Sequence, residues 1–312
     1  MKSNNIPLLQ IREHCPSCYS TESVLIYSDS FSSHGLKKYL DMQYRGRALI
    51  NLEGYTYKLI QCTHCSLAYQ MYVPTCNLLS EIYNVWIPNS AREELQGIRT
   101  LDYYRYLSEQ VQFLIQYFKE SPNLISVLDF GFGWAEWAKM AMAYGCDVTG
   151  VELSQERREY AKSIGLNVLD IQELPPNQFH FINTEQVFEH VVEPRDLLAR
   201  LLVSLRTNGI IKISVPKSDG SLRKIKKTQD FTLLAQHEIV PIAPLEHVNC
   251  YTYKSLVALA NTVGLKPLHP SFHKLYNSSS GWLDTKNAFR LIARPFYRHV
   301  FPKSTFIYFI RV

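Results

Sequence analysis

Apolar residues recur at helical spacing between Leu101 and Lys119, where Leu107, Val111, Leu114 and Phe118 mark one face. Ser121-Pro122-Asn123 ends that pattern, and the spacing then changes. Ile125 to Leu128 is a short apolar run of strand type, and Trp134 to Tyr144 reads as a helix closed by Gly145. A second strand follows, Asp147-Val-Thr-Gly-Val-Glu152. Ser154 then caps a helix whose Tyr160, Ala161 and Ile164 face inward, with Gly165 at its end. Strand, helix, strand, helix is βαβ organisation, and it predicts an α/β fold. Nearer the N-terminus the period is different. Tyr55-Thr-Tyr-Lys-Leu-Ile-Gln61 alternates as a ribbon strand does.

Cysteine spacing explains what that ribbon is for. Cys15-Pro-Ser-Cys18 and Cys62-Thr-His-Cys65 are two CxxC knuckles. A CxxC turn places two thiolates on one side of a tight loop, and two such turns complete a tetrahedral zinc site. Four protein ligands leave no open position, so the expected metal is structural. His14 and His64 adjoin the knuckles as substitute ligands, and Cys76, Cys146 and Cys250 read as small buried residues. The long insertion between the knuckles is expected to be β-rich and to fold back. The start of the chain, MKSNNIPLLQ, lacks the layout of a signal peptide, and no apolar run is long enough to span a bilayer. A cytoplasmic protein is the expectation. The net charge of +5 is mildly basic, and part of it lies in one stretch, Arg223 to Lys227, which reads as a solvated loop.

Between the first strand and helix lies Val127-Leu-Asp-Phe-Gly-Phe-Gly-Trp-Ala-Glu-Trp-Ala138. A strand, Gly-x-Gly and helix let the backbone approach an anionic or adenosine ligand. Glu152 lies 21 residues beyond Gly131, where a carboxylate can accept both ribose hydroxyls. A pyrophosphate fingerprint needs a third glycine three residues after the second, and that position is Glu136. Asp129 would repel a pyrophosphate but suits an ammonium group. An adenosine joined to an amino acid fits better, and that ligand is S-adenosylmethionine.

From Val127 onward the chain resembles class I S-adenosylmethionine-dependent methyltransferases, the broad group that includes ubiquinone-biosynthesis and nucleotide-sugar enzymes. VLDFGFGWAEWA resembles their first motif, with Ala135 where many members have a third glycine. VTGVELS resembles the second, NVLDIQELP the third and FHFINTEQVFEHVVEPRDLL the fourth, with His180 in place of the usual aspartate. LRTNGIIKISVP, EHVNCYTYKSLVALANTVGL and the closing TFIYFIRV resemble the later segments, the last as an antiparallel seventh strand. The resemblance implies a Rossmann-like seven-stranded methyltransferase domain behind a small zinc-ribbon-like, β-rich domain. The expected boundaries are 1–75 for the zinc module, 76–122 for a helical connector or lid and 123–312 for the catalytic domain. It further implies cofactor contacts from Asp129, Gly131, Phe132, Gly133, Glu152, Leu153, Asp170, Ile171 and Thr184. The cysteine-rich N-terminal module is similar to that of nucleotide-sugar C-methyltransferases and polysaccharide-cluster proteins. In those an acid–histidine pair faces the substrate, here Glu246-His247, although Pro244-Leu245 replaces the tyrosine pattern before it.

Methyl transfer from an activated sulfonium requires an acceptor held in line and often a base. His247, with Glu246 orienting it, and His190 are the candidates. Trp134 and Trp137 read as packing residues, and Tyr103, Tyr104 and Tyr106 as a core-facing helix or a pocket cover. The expected acceptor is a small molecule, of the nucleotide-sugar or polysaccharide-precursor class. Two readings stay open beside it: an RNA methyltransferase using the zinc module and basic stretch, and a non-catalytic binding protein on the same fold. The N-terminal part is not conspicuously basic and carries no RNA-binding signature, which speaks against nucleic acid.

Overall fold

A computed structural model describes residues 7–48, 52–86, 99–270 and 304–311, and the single position 293. The strands in chain order are β1 (Leu9–Ile11), β2 (Ser23–Ser30), β3 (Thr56–Cys62), β4 (Ala68–Gln70), β5 (Tyr72–Pro74), β6 (Ser126–Phe130) and β7 (Asp147–Val151). They continue as β8 (Asn167–Val168), β9 (Phe179–Glu185), β10 (Leu205–Pro216), β11 (Asn249–Cys250), β12 (Lys266–Leu268) and β13 (Ser304–Ile310). The chain divides into two compact units that are not contiguous in sequence. Unit 1 joins Met1–Ile98 to Glu189–Pro194 and Pro216–Leu259, and unit 2 comprises Arg99–Phe188, Arg195–Val215 and Ala260–Val312.

Unit 2 holds a seven-stranded mixed sheet in the order β12-β13-β10-β9-β6-β7-β8. The pairs β10–β9, β9–β6, β6–β7 and β7–β8 are parallel, and β12–β13 is antiparallel. Central strands of such a sheet are covered on both faces, so β9 reads as a nearly continuous buried run. The amphipathic helix Leu101–Phe118 begins at Thr100, whose hydroxyl accepts the Tyr103 N–H, and turns left-handed at Lys119. Its Leu107, Val111, Phe113 and Leu114 join Val127, Trp137, Ala141, Phe181 and Tyr308 in one core. Tyr103 and Tyr106 pack beside that core, whereas Tyr104 is exposed.

Unit 1 contains a four-stranded sheet, β11-β4-β3-β2, and the short antiparallel pair β1–β5. The segment between the knuckles is not wholly β-structured: β2 and β3 enclose the helix His34–Tyr44. Leu36, Tyr39, Leu40 and Tyr44 are the buried face of that helix, and they carry the helical period that the β-rich expectation overlooked. The basic stretch is a helix too, Asp219–Thr228. Leu222 and Ile225 bury its inner face, Asp219 lies in the first turn, and Lys226 and Lys227 lie in the last, where each sign suits the helix dipole. Cys76 is exposed because it opens the helix Cys76–Glu81, while Cys146 and Cys250 are buried as expected. Among the described residues, no helix is long and apolar enough to cross a membrane.

Candidate functional site

The glycine loop of unit 2 connects β6 to the helix Glu136–Ala143. Gly131 has φ +72°, and a Cβ there would lie 2.6 Å from Val187 Cγ2, so both conformation and space demand glycine. Gly133 has φ +56° with nothing within 4 Å of where a Cβ would stand. The loop is therefore open on that side. Ala135 is left-handed as well, at φ 58°, and occupies the third small position of the loop. Glu152, at the carboxyl end of β7, is pinned by that loop. Its Oε2 accepts the Gly133 N–H at 2.9 Å, and its Oε1 accepts those of Leu153 and Ser154 at 2.9 and 3.0 Å. Arg157 stands 3.7 Å away. Three backbone donors hold the carboxylate at the mouth of the loop without a rotamer search on binding. Ser154 occupies the N-cap position, but its side chain makes no capping bond.

Leu153 follows, with 95% of its surface exposed. Its apolar side chain stands in water beside the Glu152 carboxylate. Phe132 is buried, and its ring lies where a Cβ on Gly150 would collide at 2.5 Å. Ile171 is half-buried in a 3₁₀ turn capped by Asp170. The Asp170 carboxylate pairs with Arg158 at 2.8 Å and remains largely exposed. Thr184 is buried within β9, with its hydroxyl donated to Lys212 O at 2.9 Å.

Asp129 lies beneath the loop rather than at its surface. Its Oδ1 accepts the Asn183 amide at 2.8 Å, and its Oδ2 accepts the Ala138 N–H at 3.1 Å, bracing the start of the helix. Burial pushes its carboxyl up to about 7, against the pull of Asn183, Lys212 and the Ala138 amide. Asn183 in turn accepts from Lys212 Nζ at 3.2 Å, and Lys212 also donates to Gln110 at 2.5 Å and to Glu185. Sequence reasoning passed over this network. Its signal was a lone lysine inside the apolar strand Ile-Ile-Lys-Ile-Ser-Val. Glu136, placed by the sequence in a phosphate region, pairs with Lys139 at 2.9 Å. Trp137 packs on Phe181, and Trp134 packs edge-on against Tyr160.

In unit 1 the four knuckle cysteines converge. Their sulfurs all lie within 4.8 Å of one another, with Cys15–Cys65 at 3.4 Å and Cys18–Cys62 at 3.6 Å. No disulfide joins them. A tetrahedral zinc with bonds of about 2.3 Å separates its sulfurs by roughly 3.8 Å, so the cluster fits such an ion. Each knuckle is built alike. The N–H of the fourth residue after the first cysteine (Tyr19 or Ser66) returns to that cysteine's carbonyl, and each of these residues has positive φ. His14 and His64 are exposed and outside the cluster.

Unit 1 also brings Glu189, His190 and His247 together, with one donor atom of each within 4.8 Å of the others. The His190 and His247 rings lie 4.7 Å apart, nearly perpendicular. Burial pulls His190 down to about 4, partly offset by its bond to Glu246 O, and pulls His247 down to about 3. The Glu246 carboxylate turns away from both rings, accepting from Tyr44 at 2.6 Å and Gln43 at 3.1 Å. Glu189 was read from sequence as orienting the adjacent histidine or being solvated; Tyr44 and Gln43 were not singled out, because Glu246 lies 202 and 203 residues away from them.

Residues 100–269 match a family described as a methyltransferase domain. The match spans more than half of the 312 residues, and the chain belongs to this methyltransferase family. Solved structures are similar at low identity. The plantazolicin methyltransferase BamL, in complex with a triazolic desmethylPZN analog and SAH, is 15% identical over 74% of this chain and 93% of its own, with a TM-score of 0.52. The related BpumL complex is 18% identical over 75% of this chain and 94% of its own, with a TM-score of 0.49. A SAM-dependent methyltransferase from Archaeoglobus fulgidus is 17% identical over 65% and 94%, at a TM-score of 0.39. No curated protein matches the chain.

Proposed function

We propose that the protein transfers a methyl group from S-adenosylmethionine to a small-molecule acceptor, of the nucleotide-linked sugar or polysaccharide-precursor class. The observation that carries this reading is the open Gly131–Gly133 turn facing a carboxylate, Glu152, already fixed by three backbone N–H groups. Glu152 would receive the ribose hydroxyls, Leu153 and Ile171 would cover the adenine, and the open side of Gly133 would admit the amino-acid end. The cofactor supplies an electrophilic methyl group, and the protein supplies position. Asp129 acts from below, by setting the helix that shapes the loop. The BamL structure, a complex with SAH on the same fold, supports the cofactor assignment.

The four-cysteine cluster is assigned a structural zinc, since all four donors come from the protein. His190 and His247 are assigned to the acceptor, and Glu246, held by Tyr44 and Gln43, to fixing the segment that carries His247. Both rings are weak proton acceptors at neutral pH, because burial disfavours their charged forms. Calorimetry with S-adenosylmethionine and with NAD tests the reading: the former should bind and the latter should not. Tighter binding of NAD would overturn it. His247→Ala and His190→Ala should retain cofactor binding while turnover falls by about 10²–10⁴ if proton removal from the acceptor runs through these rings.

A further inference from the structure

Glu189, His190 and His247 offer three lone-pair donors in a pocket where weak basicity is no handicap. His190 Nδ1 faces Glu246 O at 2.9 Å and must donate to it, since a carbonyl only accepts. That fixes the tautomer and leaves Nε2 as a lone pair, 3.9 Å from Glu189 Oε1. His247 presents an Nδ1 that is shielded from solvent and has no hydrogen-bond partner. Metal-binding histidines are oriented in this way, with one ring nitrogen donating to a carbonyl. Glu189 adds a carboxylate whose side chain is 2% exposed.

The backbone under this set is stapled. Asn249 N–H donates to Glu189 O at 3.0 Å, and Asn249 Nδ2 donates to Val191 O at 2.7 Å. Arg12 donates to Val192 O at 2.7 Å and to Val248 O at 3.2 Å, and Gln70 donates to His247 O at 3.0 Å. The two segments that carry the donors are thus fixed against each other. The His190 side chain remains 30% exposed, which gives an ion a way in and a face left open.

We infer that Glu189, His190 and His247 form a second metal site in unit 1, separate from the four cysteines, taking a first-row divalent cation with a coordination position left free. Two imidazoles and a carboxylate suit zinc, cobalt or ferrous iron rather than magnesium or calcium. Tetrahedral ligation at about 2.1 Å places donors roughly 3.4 Å apart, and donors that already lie within 4.8 Å of one another can close to that spacing. Three protein ligands and an open position define a Lewis-acid site rather than a structural one.

The test is metal binding by the full chain, with neither cofactor nor acceptor present, so it is independent of whether methyl transfer is correct. Protein purified without chelator should carry two equivalents of metal. Reconstitution with Co²⁺ alone should give a sulfur-ligated cobalt with intense thiolate charge-transfer absorption, together with a weaker nitrogen–oxygen cobalt spectrum. His190→Gln and His247→Gln should each lose one equivalent and the weaker spectrum while keeping the thiolate absorption. One equivalent bound by cysteines alone, or two equivalents unaffected by both variants, would overturn the inference. Should either variant fail to fold, Co²⁺ titration of the unaltered protein decides: a spectrum of sulfur ligation only rejects the second site.

Discussion

Each unit buries a strong cation, and the two cations are used in opposite ways. Arg12 in unit 1 spends its donors on neutral groups, namely the carbonyls of Val191, Val192 and Val248 and the Asn249 side chain. Lys212 in unit 2 faces an anion, Glu185, and two side-chain amides. The planar guanidinium is a fork that ties several chain segments together, and the ammonium is a compact charge that answers another charge. Unit 1 has little continuous sheet around its histidines and needs a tie. Unit 2 already has a seven-stranded sheet, and there the cation tunes the network leading through Asn183 to Asp129.

The largest test of this contrast lies in the cysteines. If unit 1 is assembled by ties rather than by a large sheet, removing its strongest tie should unfold it. Structural zinc contributes on the order of 10–16 kcal/mol in small domains. Cys62→Ser should therefore lose the cysteine-bound metal equivalent and the folded signal of unit 1, followed by metal analysis and circular dichroism. Retention of both would show that the cluster is incidental.

Next in size are the two cations. Arg12→Ala removes the guanidinium from Val192 O and the Asn249 side-chain oxygen, while Val191 O keeps Asn249 Nδ2 and Val248 O keeps the Gln70 N–H, and each unsatisfied buried group costs about 1–3 kcal/mol. A total of about 4 kcal/mol by urea denaturation is expected for Arg12→Ala, given partial relaxation. Lys212→Met should cost less, about 2 kcal/mol, because the Glu185 side chain is 36% exposed and can be hydrated when its partner goes. An equal or reversed order would break the contrast between the two cations.

Glu152 sharpens the contrast from the ligand side, since it is bound by backbone donors rather than by a buried cation. Glu152→Ala should weaken S-adenosylmethionine binding by about 1.5–3 kcal/mol, the usual value of a hydrogen bond to a charged group. Folding should change less, as the three N–H groups freed are near solvent. Calorimetry and thermal melts separate the two effects.

How much of this was legible in the sequence follows the range of the interactions. The strand–glycine–helix order, Glu152 and the antiparallel closing strand rest on local patterns, and the sheet carries them all. The knuckles were legible because two short turns repeat one spacing. The helices His34–Tyr44 and Asp219–Thr228 were missed where polar and charged residues masked an apolar face of four residues in the first and two in the second. Glu246 faces Tyr44 across 202 residues and Arg12 meets Val248 across 236, and no window along the chain contains both partners. The placing of Asp129 was obscured for another reason: an acid before a glycine loop reads the same whether it meets a ligand or braces a helix.

The last expected effect, one of pH rather than of a lost contact, concerns that aspartate. Its folded pKa, about 7 because of burial, lies above the unfolded value of about 3.9. A raised acid stabilises the folded state fully below the unfolded pKa and loses that contribution as pH rises through the folded one. Unit 2 should therefore lose stability from Asp129 between about pH 4 and 7. His180 acts in the opposite sense in the same unit, because burial lowers it, so the Asp129 contribution must be taken as a difference. Asp129→Asn, although less stable throughout, should show a flatter decline with pH over that range in urea melts. Lys212 is a cation that lowers the Asp129 pKa through space, so Lys212→Met should carry the decline beyond pH 7. Parallel pH curves for the unaltered protein and Asp129→Asn would mean that the carboxylate is already ionised when folded, and that Lys212 answers Glu185 alone.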